Sequence, residues 1–578
     1  MSLVENRKDP GQAIPMKRIH SSDGLHGKRG GMNRPSGKTL DWNSQRLQRT
    51  VVLALLGLFL LNCVFSVVGK TQTYDEPYHL AYGLDILSGN STRFDDSKMP
   101  FSAFNALPER IASLLPVNTF SKDLSKLFYA RLVTILFSIL VAFLVFYWSR
   151  SLYGFLPALV SLLLFVFDPN IIAHSQLATT DLYALGTITL ACYCLWRFAH
   201  RRTLWNGLLC AFALGISQLA KYTSVALYPL FLITLFLYDL PSLLSSLKLQ
   251  AAKAIKSILL KYLGYSAIAI VVSVLIINLG FLFNHTFLSF GDYVFRSGFF
   301  QTLQEKLPVL NKVPVPVPYP YLQGLDWVMQ RENNDPVYLL GVLHHGVGFM
   351  GYYIIASFLK VPIATQIITV TAVVVFLLDR KRRQNFLANE MFLLIPMTFF
   401  MIYFNFFYNA QVGIRFYLVI FPLLYVFAGH LFTGAENFSV VLKASTLLLL
   451  TYLVVSVFSY FPYYLSYFNE VVWNRTQAYK YLADSNLDWG ADGAQLERYL
   501  VAHPDAIYAP DHPVAFHPVP GRLVIEVNDL LGIVKNPQEY AWLRNNFEPV
   551  GTVAYSYLIY QISPQEISNL CATTNYCK

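Results

Sequence analysis

Eleven apolar stretches recur between residues 51 and 461, and no water-soluble fold can hide so many. A helix needs roughly 20 apolar residues to cross about 30 Å of hydrocarbon. The stretches cover 51–68, 127–148, 152–167, 182–198, 204–219, 223–237, 262–283, 352–378, 388–407, 416–432 and 441–461. Composition agrees. Of 578 residues 55% are hydrophobic and 13% are charged, about half the charged share of a soluble domain. The pattern predicts a mainly α, polytopic transmembrane helix bundle of about eleven helices. Three stretches (152–167, 204–219 and 223–237) are short, so one of them could be re-entrant.

The net charge of +10 comes from Lys and Arg clustered beside the apolar stretches. That is the positive-inside pattern of a membrane protein and excludes nucleic acid as the partner. Residues 1–50 are polar, carry ten Lys and Arg, and open on no apolar run. They are expected to be a disordered, basic cytoplasmic tail without a cleavable signal. His200-Arg201-Arg202, the segment with Lys248, Lys253, Lys256 and Lys261, and Arg380-Lys381-Arg382-Arg383 fall on the same side. An odd number of crossings then puts the far end outside. The expected organisation is a membrane domain over 51–461 with outer loops at 69–126 and 284–351, followed by a small extracytoplasmic α/β or α+β domain over 462–578.

Six cysteines form no metal pattern. Cys63, Cys192, Cys194 and Cys210 sit in apolar stretches and read as small buried hydrophobes. Cys571 and Cys577 lie in the polar tail, where a disulfide is plausible if the tail is outside the cytosol.

The first outer loop opens Thr73-Tyr74-Asp75-Glu76-Pro77-Tyr78-His79. Two adjacent carboxylates at a membrane surface are costly unless paired or working. Taken alone, the pair reads better as a helix cap with Pro77 in the first turn. The same outer side gathers Asp168, His174 and Asp181 from one short connection, then Lys221, Arg415 and Arg131. A single cation at a helix end usually snorkels to lipid head groups. Three of them beside several carboxylates suit an anionic lipid phosphate and a general base. His344-His345 lacks a spaced third ligand, so a substrate-facing or structural role is favoured over a metal. A divalent metal is allowed but not required, and no cofactor is indicated. No phosphate-cradling or dinucleotide loop and no nucleophile elbow is placed to function.

Seven motifs occur in order: Tyr74-Asp75-Glu76; Ala173-His174-Ser175-Gln176-Leu177-Ala178-Thr179-Thr180-Asp181; Ala220-Lys221-Tyr222; Pro318-Tyr319-Pro320-Tyr321-Leu322-Gln323-Gly324-Leu325; Gly413-Ile414-Arg415-Phe416; Tyr467-Phe468-Asn469-Glu470; and Asp484-Ser485-Asn486-Leu487-Asp488-Trp489-Gly490. The set resembles the polyprenol-phosphate-dependent glycosyltransferases of the GT-C superfamily, in the branch like protein O-mannosyltransferases and aminoarabinose transferases. The resemblance covers about residues 50–500. It implies a GT-C helix bundle and a membrane glycosyltransferase using an undecaprenyl- or dolichyl-phosphate sugar donor. Transfer would go, normally with inversion, to a protein, lipid or glycan acceptor on the outer face of a bacterial plasma membrane or in the endoplasmic reticulum. It further implies Asp75 as general base supported by Glu76, Arg131, Lys221 and Arg415 on the donor phosphate, and Tyr74, His174, Asp181, His344 and His345 around the pocket. Two positions depart from the pattern. Lys98-Met99-Pro100-Phe101 stands where the family has His-Pro-Pro-Leu, and Trp489-Gly490-Ala491-Asp492 where it has Trp-Gly-Gln-Asp. The rival readings are a transporter and a lipid-linked-sugar flippase. A transporter would show inverted repeats and polar residues at the midplane, whereas here the polar groups collect at one face.

Overall fold

Each apolar stretch of the sequence falls on helix in the computed structural model, which describes residues 44–90, 98–117, 119–247, 252–331, 335–509 and 514–577. The basic residues before 44 and Lys248 lie outside the described residues. Among the described residues, seven helices are long and apolar enough to cross a membrane: Gln45–Val67, Leu127–Tyr153, Asp181–His200, Tyr222–Ser245, Leu260–Gly280, Ile414–Phe432 and Val440–Phe458. Three more apolar helices, Leu204–Ser217, Ile363–Leu378 and Met391–Phe406, are shorter. One pair, Phe155–Val166 and Pro169–Ser175, bends by 62°. The chain is an integral multi-pass membrane protein.

Two expected spans differ in shape. The stretch 352–378 is two helices, Tyr352–Lys360 and Ile363–Leu378, because Pro362 cannot continue the first. The stretch 223–237 begins as the 3-10 turn Tyr222–Ala226 and runs on to Leu247 as α-helix. It is therefore long enough to span after all. The sharp bend is equally local. Asp168 caps the second helix of the pair by accepting from Asn170 N and Ile171 N at 2.8 and 2.9 Å, with Pro169 in its first turn.

Burial sorts the spans. Asp181–His200 and Ile414–Phe432 are 78% buried over their apolar windows, whereas Val440–Phe458 is 17% and Leu260–Gly280 is 22% buried. The first two form the middle of the bundle; the second two present Leu447, Leu448, Leu263 and Val271 outward, as lipid-facing helices do. Each central helix starts within one residue of a charged side chain, Asp181 or Arg415.

Arg49 to Lys578 form one compact unit. Outside the bundle the first loop folds into helices Glu76–Leu87, Ser102–Leu114 and Thr119–Leu124. The middle loop lays its proline-rich segment along residues 287–290, with Val315 N donating to Leu288 O and Phe287 N to Val315 O. It continues as helix Tyr319–Arg331 and the hairpin β1 (Pro336–Leu339) and β2 (Val342–His345). The tail carries a four-stranded sheet of β3 (Ala506–Tyr508), β4 (Gly521–Glu526), β5 (Gly551–Val553) and β6 (Tyr557–Ile562) in the order β3-β4-β6-β5, with β3 parallel to β4 and the other pairs antiparallel. The central strand β4 is covered on both faces. Leu523 and Ile525 join the main core, and Val524 packs with Tyr557 and Leu496 of helix Gly493–Ala502. Cys571 and Cys577 are disulfide-bonded.

Candidate active site

The adjacent carboxylates Asp75 and Glu76 point to different places. Glu76 is fully buried and takes four hydrogen bonds: from Arg131 Nε at 2.8 Å and Nη2 at 2.6 Å, from Thr73 N at 2.9 Å and from Ala178 N at 2.9 Å. Arg131 also donates to Thr71 O at 2.6 Å and Lys70 O at 3.4 Å. The forked pair thus staples the first loop to helix Leu127–Tyr153 and to the turn before Asp181. Arg131 is spent on this pair, and it does not line the cavity described below. The sequence alone places it on a donor phosphate; in the structure its guanidinium meets Glu76. Each Glu76 carboxylate oxygen thus accepts two hydrogen bonds.

Asp75 sits in the N-cap position of helix Glu76–Leu87 but makes no side-chain cap bond. Its Oδ2 instead accepts from Arg415 Nη1 at 2.7 Å. Burial alone would raise the Asp75 carboxyl. The charge and hydrogen bond of Arg415, with Lys98 behind it, hold the group below its ordinary value.

The loop that delivers Arg415 is braced by the tail. Gly413 adopts φ +115° and lies against Ser485, whose carbonyl carbon would stand 3.3 Å from an added Cβ. Ile414 N donates to Asn486 Oδ1 at 3.0 Å, and Asn486 Nδ2 donates to Tyr352 Oη at 2.8 Å. Lys360, itself buried, donates to the carbonyls of Asn486 and of Leu465. Trp489 then lies flat beneath the guanidinium, its ring centroid 4.3 Å from Arg415 Cζ. The motif 484–490 is therefore a cradle for the Arg415 loop. Burial pushes the Asp484 carboxyl in this cradle up to about 6, against the pull of Arg415.

A second ion pair joins Lys221 Nζ to Asp181. Lys221 also lies over the Phe416 ring at 3.9 Å. Burial draws the Lys221 ammonium below its ordinary value, and Asp181 opposes that.

Both ion pairs face one cavity of about 190 Å³. Among the described residues its charged lining is balanced: Asp75, Asp181 and Asp335 against Lys98, Lys221 and Arg415, with His79 beside them. His79 is neutral, lowered to about 3 by burial and then by Lys98. Its Nδ1 lies 2.8 Å from Ser102 Oγ. Tyr222, Trp327, Tyr403, Tyr408 and Phe416 are the aromatic part of the wall. A larger cavity of about 350 Å³, between Leu204–Ser217 and its neighbours, is almost wholly apolar and holds no comparable set of groups.

Other expected pocket residues lie elsewhere. Tyr74 is 72% exposed and does not line the cavity. His174 is buried behind it, edge-on to Trp489 at 5.9 Å. His345 pairs with Pro336 across the hairpin; His344 stacks on Phe349 at 4.1 Å. Neither faces the cavity, and no group of three metal-ligating side chains occurs among the described residues. The hairpin contributes Asp335 instead. Lys98, His79, Asp335 and the Trp489 platform were not singled out from the sequence as site residues. Lys98 had one usable signal, its place in the departure from the family's proline pair.

Residues 123–277, about a quarter of the chain, match the family described as dolichyl-phosphate-mannose-protein mannosyltransferase. This agrees with the resemblance to GT-C glycosyltransferases read from the motifs, and the matched segment holds Arg131, His174, Asp181 and Lys221. A comparison with the curated proteins returns no match. Among solved structures, the chain is similar to ArnT from Cupriavidus metallidurans bound to undecaprenyl phosphate, at 12% identity, covering 88% of this chain and 97% of that one with a TM-score of 0.44. It is also similar to the oligosaccharyltransferase AglB from Archaeoglobus fulgidus in complex with an inhibitory peptide and a dolichol-phosphate, at 13% identity, covering 90% and 75% with a TM-score of 0.44.

Proposed function

We propose that the chain is a membrane glycosyltransferase that moves a sugar from a polyprenyl-phosphate donor to an acceptor on the extracytoplasmic side. The observation that carries this is the convergence of Asp75, Arg415, Lys221 and Lys98 on one cavity at the ends of the two central helices. The family match over 123–277 supports a polyprenyl-phosphate donor. The acceptor's hydroxyl or amine gives its proton to Asp75 and its lone pair to the sugar's anomeric carbon. The bond from that carbon to the phosphate oxygen breaks, and its electron pair stays on the phosphate. Attack from the face opposite the phosphate inverts the carbon. Charge builds on the phosphate as the bond breaks, and Arg415, Lys221 and Lys98 stabilise it most at that stage. Glu76 and Arg131 keep the first loop in place. The disulfide in the tail supports an extracytoplasmic far end, since such bonds persist in oxidising compartments.

The test is transfer from a labelled polyprenyl-phosphate sugar to membrane acceptors by the wild type and by Asp75→Asn. Loss of transfer with retained folding is expected. Full activity in the variant contradicts the assignment of the base. Movement of labelled lipid across the bilayer without transfer, by either protein, points to a flippase instead.

A further inference from the structure

The cavity's cations Arg415 and Lys221 are engaged by carboxylates, Arg415 by Asp75 and Lys221 by Asp181. A charge held away from water must be compensated, and removing one partner of a buried pair is strongly unfavourable. Asp75 and Asp181 do that job for Arg415 and Lys221. The two pairs are unlike Glu76–Arg131. In that pair both carboxylate oxygens are saturated and the arginine is enclosed, whereas Asp75 and Arg415 keep 20% and 15% of their side-chain surface exposed. Arg415 also has an unspent donor. Its Nε is buried with no hydrogen-bond partner among the described residues. The cations have a second hold that does not depend on carboxylates, because Trp489 lies under Arg415 and Phe416 under Lys221. Each cation can therefore change anions without moving.

We infer that the donor's phosphate enters by ion-pair exchange, taking Arg415 from Asp75 and Lys221 from Asp181, and that this exchange releases Asp75 to act on the acceptor. The inference rests on the reading of the cavity as a polyprenyl-phosphate site. Before the donor arrives, Asp75 is clamped by Arg415 and is a poor base. Once the phosphate has taken the guanidinium, the carboxylate is freed beside an anion, and both changes make it more basic. The proton acceptor is thereby switched on by the molecule it serves. Donor binding precedes productive acceptor binding, which limits the chance that an activated base meets water or acceptor alone.

The exchange makes an unusual prediction: removing the catalytic carboxylate strengthens donor binding. Binding of a radiolabelled polyprenyl monophosphate is measured for protein in lipid nanodiscs, with a chelator present, for wild type, Asp75→Asn, Asp75→Glu and Asp181→Asn. Each asparagine variant is expected to bind about tenfold tighter than wild type, the equivalent of one charge-assisted hydrogen bond that no longer has to be broken. Asp75→Glu keeps the competing anion and is expected to bind as the wild type does. Asp181→Asn carries the same expectation at the other pair, so a folding failure at position 75 does not remove the test. If wild type binds the lipid and the asparagine variants bind it equally or more weakly, the exchange is wrong and the donor reading stands. If the lipid binds neither wild type nor variants, the donor reading itself is overturned.

Discussion

Arg415 Nη1 meets Asp75 Oδ2 at 2.7 Å across 340 positions of sequence, and both side chains face the same cavity. Two segments, one after the first span and one before the tenth apolar stretch, are thereby closed into a single site. Asp75 is consequently the anion partner of Arg415 rather than a helix cap. Glu76, one residue on, belongs to the scaffold.

Glu76→Gln leaves the Arg131 guanidinium without its charge partner at an enclosed position. Breaking one side of such a pair costs about 3–5 kcal/mol. The variant should therefore unfold at a clearly lower temperature in detergent micelles, followed by intrinsic fluorescence. Glu76→Gln combined with Arg131→Gln should recover part of the loss. A wild-type unfolding temperature in the single variant contradicts the staple.

The pH profile of kcat/KM reports the free protein. Asp75 is held below its ordinary value of 3.8 by Arg415, against the effect of burial. A depressed carboxyl stays ionised as pH falls until its folded value is reached. Its ion pair likewise stabilises the fold above the unfolded value and is lost only as pH falls through the folded one. The acid limb of kcat/KM is therefore expected below the usual carboxylate range, and Arg415→Gln should move it upward. His79, lowered to about 3, should contribute no inflection near neutrality. An unmoved acid limb in Arg415→Gln contradicts the coupling.

Gly413→Ala tests the cradle. The residue sits at φ +115° with Ser485 packed against the place a Cβ would take. The substitution should displace the Arg415 loop and lower kcat/KM by about tenfold or more, the scale expected for misplacing a binding group by an ångström. Loss of activity should exceed any loss of thermal stability. Normal kinetics would show that the 484–490 motif does not set the position of Arg415.

Much of this fold was legible because hydrocarbon imposes one rule, about 20 apolar residues per crossing. The breaks were not. The turns at Tyr222–Ala226 and Ile414–Ile420 are 3-10 rather than α, and apolar runs do not distinguish the two. At the site, Asp75, Asp181, Lys221 and Arg415 stood out because each interrupts or flanks an apolar run. Arg131 stood out for the same reason, but its partner could not be read: the choice between Glu76 and a phosphate is made by tertiary contact. Lys98 and Asp335 lie in polar loops, where a charge is unremarkable until the loop folds over the cavity. The histidine pair misled because adjacent side chains of a strand face opposite ways, so only packing decides which, if either, meets a ligand.

The Cys571–Cys577 bond offers a test of the side on which the tail lies. Cys571→Ser should leave Cys577 open to a membrane-impermeant maleimide added to intact cells, while wild type should label only after reduction. Cys63, Cys192 and Cys210 are buried and should not contribute. Labelling that requires permeabilised cells places the tail in the cytosol and contradicts the proposed topology.

In the proposed site Arg415 and Lys221 hold a polyprenyl phosphate. The most direct measurement is equilibrium binding of the labelled lipid phosphate to wild type, to Arg415→Gln and to Lys221→Gln in nanodiscs. Wild type should bind, and each single substitution should weaken binding by about tenfold or more. Binding of equal strength in all three proteins would contradict the account.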